Sequence, residues 1–322
     1  MLFESDEERL VAEQALLNYR ELKRLMKSAP HGQGMAVMET AVRDKGFEQM
    51  RRTLGLLIGA HDEAQKKGSY EQQFGSWGSG DGEFSWFYAM AAAPNGNIYI
   101  ADCGNNRVEE FTKEGVYVTQ FGSYGSGNGQ LNSPDGLAVD ANGNVWVTDT
   151  NNDRVEEFGP SGAYMGSFGS YGTGNGQFQY ACGIAIDNSG NFWVTDYGGN
   201  RVEEFNSNGN YEFQFGGWGT GNGQFFHPGG IAIDRAGNIW VEDDANERVE
   251  EFSGAGAYLS QFAVSGGPYG IAFDANGNIW VSEYYNDCVL EFSPNGAYLG
   301  QFGSYGAGPG LFNQGPAGIL IE

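Results

Sequence analysis

Positive charge is scarce over most of this chain. Residues 69–322 hold six basic side chains against 30 acidic ones, and residues 1–68 balance 11 against 11, so the whole formal net charge of −24 sits on the longer part. A field of that sign repels phosphate at long range, which argues against nucleic-acid binding there and suits a cationic partner or divalent cations. Net acidity also keeps a glycine- and aromatic-rich surface in solution. Histidine is scarce as well: of His31, His61 and His227, only His227 lies beyond residue 68. A lone histidine makes neither a metal site nor a catalytic dyad, so His227 is expected to be an exposed loop residue. No Gly-x-Ser-x-Gly elbow, phosphate loop or His-Glu-x-x-His motif occurs. Cys103, Cys182 and Cys288 form no Cys-x-x-Cys pair and are expected to be free thiols, compatible with a reducing compartment. The absence of any run of 18 apolar residues argues against a membrane-spanning helix. The opening Met-Leu-Phe-Glu-Ser-Asp-Glu-Glu lacks a basic-then-apolar signal segment, which makes a cytoplasmic location the default expectation.

What is abundant is glycine, 53 residues of it, at fixed places in a repeat. Arg-Val-Glu-Glu-Phe starts at Arg107, Arg154, Arg201 and Arg248, a period of 47, and a degenerate copy, Cys288-Val-Leu-Glu-Phe, follows 40 residues later. Around the second copy the chain reads Gly136-Leu-Ala-Val-Asp140, Ala-Asn-Gly143, Asn144-Val-Trp-Val-Thr-Asp149, Thr-Asn-Asn-Asp153, Arg154-Val-Glu-Glu-Phe158 and, after Gly-Pro-Ser-Gly162, Ala163-Tyr-Met-Gly-Ser-Phe168. Short runs rich in Val, Ile, Trp, Tyr and Phe between Asn-Gly or Ser-Gly pairs signal strands and hairpins. Asn142-Gly143, Asn95-Gly96 and Asn276-Gly277 offer the positive φ angles of a tight hairpin. Four short strands per unit match one blade of a β-propeller.

The recurrent Gly-Ile-Ala-Ile-Asp, Gly-Asn-Ile-Trp-Val and Asn-Arg-Val-x-x-Phe pattern resembles the NHL repeat over residues 69–322. The resemblance implies an all-β propeller of about six blades around a central channel. Complete units start near Ala89, Gly136, Gly183, Gly230 and Gly270. A lone fourth-strand copy, Tyr70–Gly75, precedes them, and a lone first-strand copy, Gly315–Ile321, follows. The expectation is five complete four-stranded blades plus a partial sixth built from both ends. An unpaired first strand there would be an edge open to another chain.

Residues 1–68 are expected to form a short α-helical extension: one amphipathic helix over 4–27 with a capping-box spacing at Ser5 and Glu8, a second over 35–64 weakened by Gly46, Gly55 and Gly59, then a linker at 66–68. Their apolar stripes need a partner, either the propeller or a second copy. Met38-Glu39 and Gly46–Leu54 are similar to the helical N-terminal region of insertion-sequence transposases, which would make the chain a fusion of unrelated pieces.

Within the repeat, Asp102, Asp149, Asp196 and Asp243 precede Arg107, Arg154, Arg201 and Arg248 by five residues, a spacing that folds each pair together as a structural ion pair. In the fifth unit Arg becomes Cys288 and Asp becomes Glu283, both together. Glu109-Glu110 and its copies fall on adjacent strand positions and face opposite ways, so a stripe of outward glutamates is expected rather than an acid–base pair. The connectors between blades repeat Phe-Gly-Ser-aromatic-Gly, placing Trp77, Tyr124, Tyr171, Trp218 and Tyr305 on the face that also carries Tyr284 and Tyr285. Aromatics among amides and carboxylates suit a protein, peptide or glycan. The fourth unit skips its connector, passing from Phe262 to Gly270 directly, which should leave a notch. The expected function is a non-catalytic binding module without a cofactor, with a divalent cation such as calcium as the one ligand ion left open, although no EF-hand spacing occurs. The alternative follows from the family: related propeller enzymes, such as lyases and lactonases, set histidines or carboxylates around a metal in the channel. A third reading is a fragment or fusion without a function of its own.

Overall fold

The computed structural model describes residues 58–59, 73–306, 310–312 and 315–321. The helices expected over 4–27 and 35–64 and the 66–68 linker lie outside them, apart from Ile58–Gly59. That dipeptide is extended, not helical, and pairs in parallel with Leu320–Ile321. Glycines at 55 and 59 disfavour helix, and the strand edge offers the backbone its hydrogen bonds.

Each repeat forms one antiparallel four-stranded sheet. In blade 2 the strands are Pro134–Val139, Val145–Asp149, Arg154–Phe158 and Tyr164–Phe168, ordered from the channel outward. Blades 1, 3, 4 and 5 begin at Phe87, Ala181, Pro228 and Pro268. Second strands such as Val145-Trp-Val-Thr-Asp149 are buried along their whole length, which explains why they read as unbroken apolar runs. In the first hairpins only the glycine has positive φ, Gly143 at 85°. The asparagine before it does not, so the two positive angles expected of Asn-Gly reduce to one. Asp140 Oδ1 supplies the rest by accepting from the N–H groups of Asn142 and Asn144 at 2.8 and 2.9 Å. Ser189-Gly190 and Ala236-Gly237 therefore serve as well as Asn-Gly.

Blades interlock through phenylalanine. The fourth-strand Phe of one blade meets the third-strand Phe of the next: Phe121 on Phe158 at 4.7 Å, Phe168 on Phe205 at 4.6 Å, Phe215 on Phe252 at 4.5 Å and Phe262 on Phe292 at 4.4 Å between ring centroids. Each such pair adds about 0.5–1.5 kcal/mol beyond its area burial. Phe74, from the lone fourth-strand copy, makes the same contact with Phe111 at 4.9 Å.

The inner strands abut so closely that a Cβ on Gly136 would collide with Cys182 O, and one on Gly183, Gly230 or Gly270 with the carbonyl of Gly229, Tyr269 or Ala317. Gly318 closes the series against Tyr88 O in blade 1. The lone Gly315–Ile321 copy thus takes a sixth inner position between blades 5 and 1, as strand only at Leu320–Ile321. The expected open edge at Leu320–Ile321 is taken up over two residues by Ile58–Gly59.

Candidate functional site

Each connector between blades is clamped by the arginine of the blade it enters. Arg154 Nε donates to Asp149 Oδ2 at 2.8 Å, and its Nη2 donates to the carbonyls of Gly127 and Gln130 in the connector. The other pairs have the same form: Arg107–Asp102 at 2.9 Å, Arg201–Asp196 at 3.1 Å and Arg248–Asp243 at 2.7 Å. Arg107 reaches Gly80 O and Glu83 O, Arg201 reaches Gly174 O and Gln177 O, and Arg248 reaches Gly221 O and Gln224 O. The second oxygen of each aspartate accepts from a backbone N–H at the end of the connector, Asn132 N at 2.6 Å for Asp149.

The glutamates depart from expectation. Glu109, Glu156, Glu203 and Glu250 are fully buried, not an outward stripe, and each lies beside its arginine, Glu203 to Arg201 at 2.6 Å. Arginine and the first glutamate are two residues apart, so they share one face of the strand, and the connector covers that face. The second glutamates bond an asparagine across the hairpin, Glu157 to Asn144 Nδ2 at 3.1 Å. Burial pushes Glu109, Glu156, Glu203 and Glu250 each up to about 7.

Blade 5 explains its own exception. The link entering it is short, so there is no long connector to clamp. There Cys288 Sγ donates to Glu283 Oε2 at 3.3 Å, and Leu290 fills the place of the buried glutamate. All three members of the Asp–Arg–Glu set change together because the loop they hold is missing. The notch is closed by backbone pairing: Tyr284 N donates to Gly267 O at 3.0 Å and Tyr285 N to Gly266 O at 2.9 Å.

Most of the connector aromatics are exposed. Tyr124, Tyr171 and Trp218 are 72%, 70% and 72% exposed, and Tyr285 and Tyr305 are also exposed. Trp77 is half-buried, edge-on to Trp86 at 5.9 Å, and Tyr284 is half-buried with its ring 5.4 Å from Tyr285. Asn152 Nδ2 donates to Gly125 O at 2.8 Å, tying the connector to the loop between second and third strands on one face. His227 is half-buried, not an open loop residue, and stacks on Tyr197 at 4.3 Å.

The centre of that face holds residues that motif reasoning missed. Every complete blade has a β-bulge near the start of its inner strand, between Pro134 and Leu137 in blade 2. The extra residue alters the local twist and re-aims a side chain. The bulge column reads Tyr88, Asp135, Cys182, Gly229 and Tyr269, and all five line a cavity in the channel of about 110 Å³. Tyr197 and Asp244, which directly follow the clamped aspartates of blades 3 and 4, line it too. Tyr269 Oη donates to Asp135 Oδ2 at 3.0 Å across the channel, and Tyr88 stacks on Tyr269 at 4.9 Å. Burial pushes the Asp135 carboxyl up to about 6 against hydrogen bonds from Tyr269 and Cys182. Burial, reinforced by Asp243 and Glu247, also lifts Asp244 to about 6. The available signal was departure from the repeat: the residues that hold the blades recur in at least four of the five, whereas this column differs in almost every blade.

Among the described residues no group of three or more His, Cys, Asp or Glu side chains is placed to hold one metal ion. No helix there is long and apolar enough to cross a membrane.

The family model of the NHL repeat matches residues 131–158 and 178–205, within blades 2 and 3. No curated protein matches the sequence. Among solved structures, virginiamycin B lyase from Staphylococcus aureus superposes with a TM-score of 0.55 at 16% identity, over 73% of this chain and 74% of that one. A chain of a nidogen/laminin complex gives 0.57 at 17% identity, over 67% and 79%. A gluconolactonase from Xanthomonas campestris gives 0.51 at 16% identity, over 67% and 75%. At such identities the likeness is one of fold. The five-fold repeat, the sheets it builds and the family match agree: the chain folds as a β-propeller whose second and third blades carry NHL repeats.

Proposed function

We propose that this propeller is a non-catalytic binding module that takes a protein, peptide or glycan on its connector face. The observation that carries this reading is the row of Tyr124, Tyr171 and Trp218, three large rings at one repeat position, each exposed by about 70%. An arginine paired with a buried aspartate fixes each of their connectors, so the rings are presented with little conformational entropy left to lose on binding. The solved neighbours named as a lyase and a gluconolactonase raise an enzyme reading. That reading would draw on the carboxyl and thiol groups of Asp135, Asp244 and Cys182 in the channel, although no three such side chains among the described residues are placed to hold one metal ion.

The test is capture on peptide and glycan arrays by the wild-type protein and by a Tyr124→Ser, Tyr171→Ser, Trp218→Ser triple variant. The variant is expected to lose ligands by tenfold or more with its melting temperature moved by less than about 2 °C, since exposed side chains contribute little to stability. A variant that captures the same ligands undiminished would remove the rim from the argument.

A further inference from the structure

We propose that the mouth of the central channel is a receptor for a single organic cation, a protonated alkylamine or a guanidinium, whether free or at the end of a lysine or arginine side chain of a partner. The inference goes beyond the rim reading, because it stands on channel residues and uses none of the connector aromatics.

The residues that clamp and interlock the blades recur in nearly every blade, and where the clamp changes, in blade 5, the connector it holds is missing as well. The bulge column and the column after the clamped acid are different. They read Tyr88, Asp135, Cys182, Gly229, Tyr269 and Cys103, Thr150, Tyr197, Asp244, Tyr284. A position that accepts glycine, cysteine, tyrosine and aspartate in equivalent blades is not dictated by the fold.

The cavity wall combines two carboxylates, Asp135 and Asp244, with three tyrosine rings, Tyr88, Tyr197 and Tyr269, and no basic side chain. The six basic residues beyond residue 68 are all engaged elsewhere. Arg107, Arg154, Arg201 and Arg248 clamp connectors, Lys113 lies 3.9 Å from Glu114, and Arg235 donates to Ala275 O. Carboxylates held away from bulk water without a counter-charge favour a cationic guest, and aromatic walls attract one through their faces. The excess of acid over the whole propeller would raise the local concentration of that guest.

Size narrows the class. A cavity of about 110 Å³ is well below the roughly 300–1,000 Å³ that encloses a drug-sized ligand, so it takes a head group and leaves the remainder of the ligand outside. The competing explanation is that the Tyr269–Asp135 hydrogen bond is a strut across the channel. A strut accounts for that pair and leaves Asp244, which has no such partner across the channel, without a purpose.

The experiment is calorimetric titration with propylammonium, with methylguanidinium, and with capped tripeptides centred on lysine, arginine or norleucine. Propanol and calcium serve as further controls. Binding of at least one cationic probe is expected, with propanol and the norleucine peptide silent. Preference for the peptides over the free cations would identify a partner's side chain as the source, and the reverse a small molecule. Asp135→Asn and, separately, Asp244→Asn are each expected to weaken binding by tenfold or more. Asp244→Asn keeps the test valid if the first variant unfolds. The rim triple variant should bind the cations unchanged, which separates failure here from failure of the rim reading. Silence of every organic cation, a response to calcium alone, or binding that both asparagine variants leave intact would overturn the proposal.

Discussion

Replacing Arg201 by alanine is expected to destabilise the propeller by about 3–5 kcal/mol, the penalty for stranding a buried charge. Asp196 and Glu203 both have fully buried side chains, and Arg201 is the cation beside each, at 3.1 and 2.6 Å. The carbonyls of Thr173, Gly174 and Gln177 would lose their donor as well. Blade 5 shows how the chain itself removes the arginine: Glu283, Cys288 and Leu290 replace the whole set. The triple variant Asp196→Glu, Arg201→Cys, Glu203→Leu should therefore cost less than half of what the single substitution costs, since no second carboxylate is left stranded. Urea unfolding of the two proteins decides the matter. A single variant as mild as the triple one would mean that the buried acids are not held by this arginine.

This set also marks the boundary of what the sequence disclosed. The five-residue spacing of Asp149 and Arg154 was enough to bring them together, because a hairpin folds positions at that separation onto each other. The third member, Glu156, was legible in principle, since residues two apart in a strand share a face. Paired glutamates are usually solvated, so the pattern reads as a surface stripe. Leu290 was the clue, a leucine in the glutamate column of the one blade that also lacks arginine and a long connector. The channel residues were hidden for a different reason. Asp135 and Tyr269 lie 134 residues apart, and a single departure from a repeat looks like drift until the ring closes. The bulge that turns them inward leaves no trace beyond the glycine that follows it in blades 2 to 5. The count of five blades and a partial sixth was legible because Tyr70–Gly75 and Gly315–Ile321 carry fourth- and first-strand patterns. The contacts of Phe74 and Gly318 give the physical reason the ring can close on them.

The second large effect is on pH dependence, and its sign is unusual. Stability is expected to rise as pH falls from 8.5 to 5.5. Burial lifts Glu109, Glu156, Glu203 and Glu250 from an ordinary 4.5 to about 7, and Asp135 and Asp244 from 3.8 to about 6. A carboxyl raised in the folded state binds its proton more tightly there than in the unfolded chain. Its contribution to stability is therefore fully present below the unfolded value and is lost as pH climbs through the folded one. The window runs from about 4 to about 7, and beyond it the loss is complete. Even cut several-fold by the partly solvated connectors and the adjacent arginines, the group should be worth about 3 kcal/mol, or roughly 6 °C in melting temperature. Glu242 adds to the trend from a separate position. It occupies the column of Thr148, Thr195 and Ser282, whose hydroxyls accept from their own inner strand and donate to the next, Thr195 to Gly229 O at 2.7 Å. Glu242 Oε2 accepts from Gly230 N at 3.2 Å, its Oε1 has no partner, and burial drives its carboxyl well above the usual range. Only as the neutral acid does it have a proton to offer the neighbouring blade. Glu242→Thr should thus stabilise the protein more at pH 8.5 than at pH 5.5 and flatten part of the profile. Thermal melts of both proteins across that range check it, and a wild-type melting temperature that falls on acidification would show that these carboxyls ionise as freely in the fold as outside it.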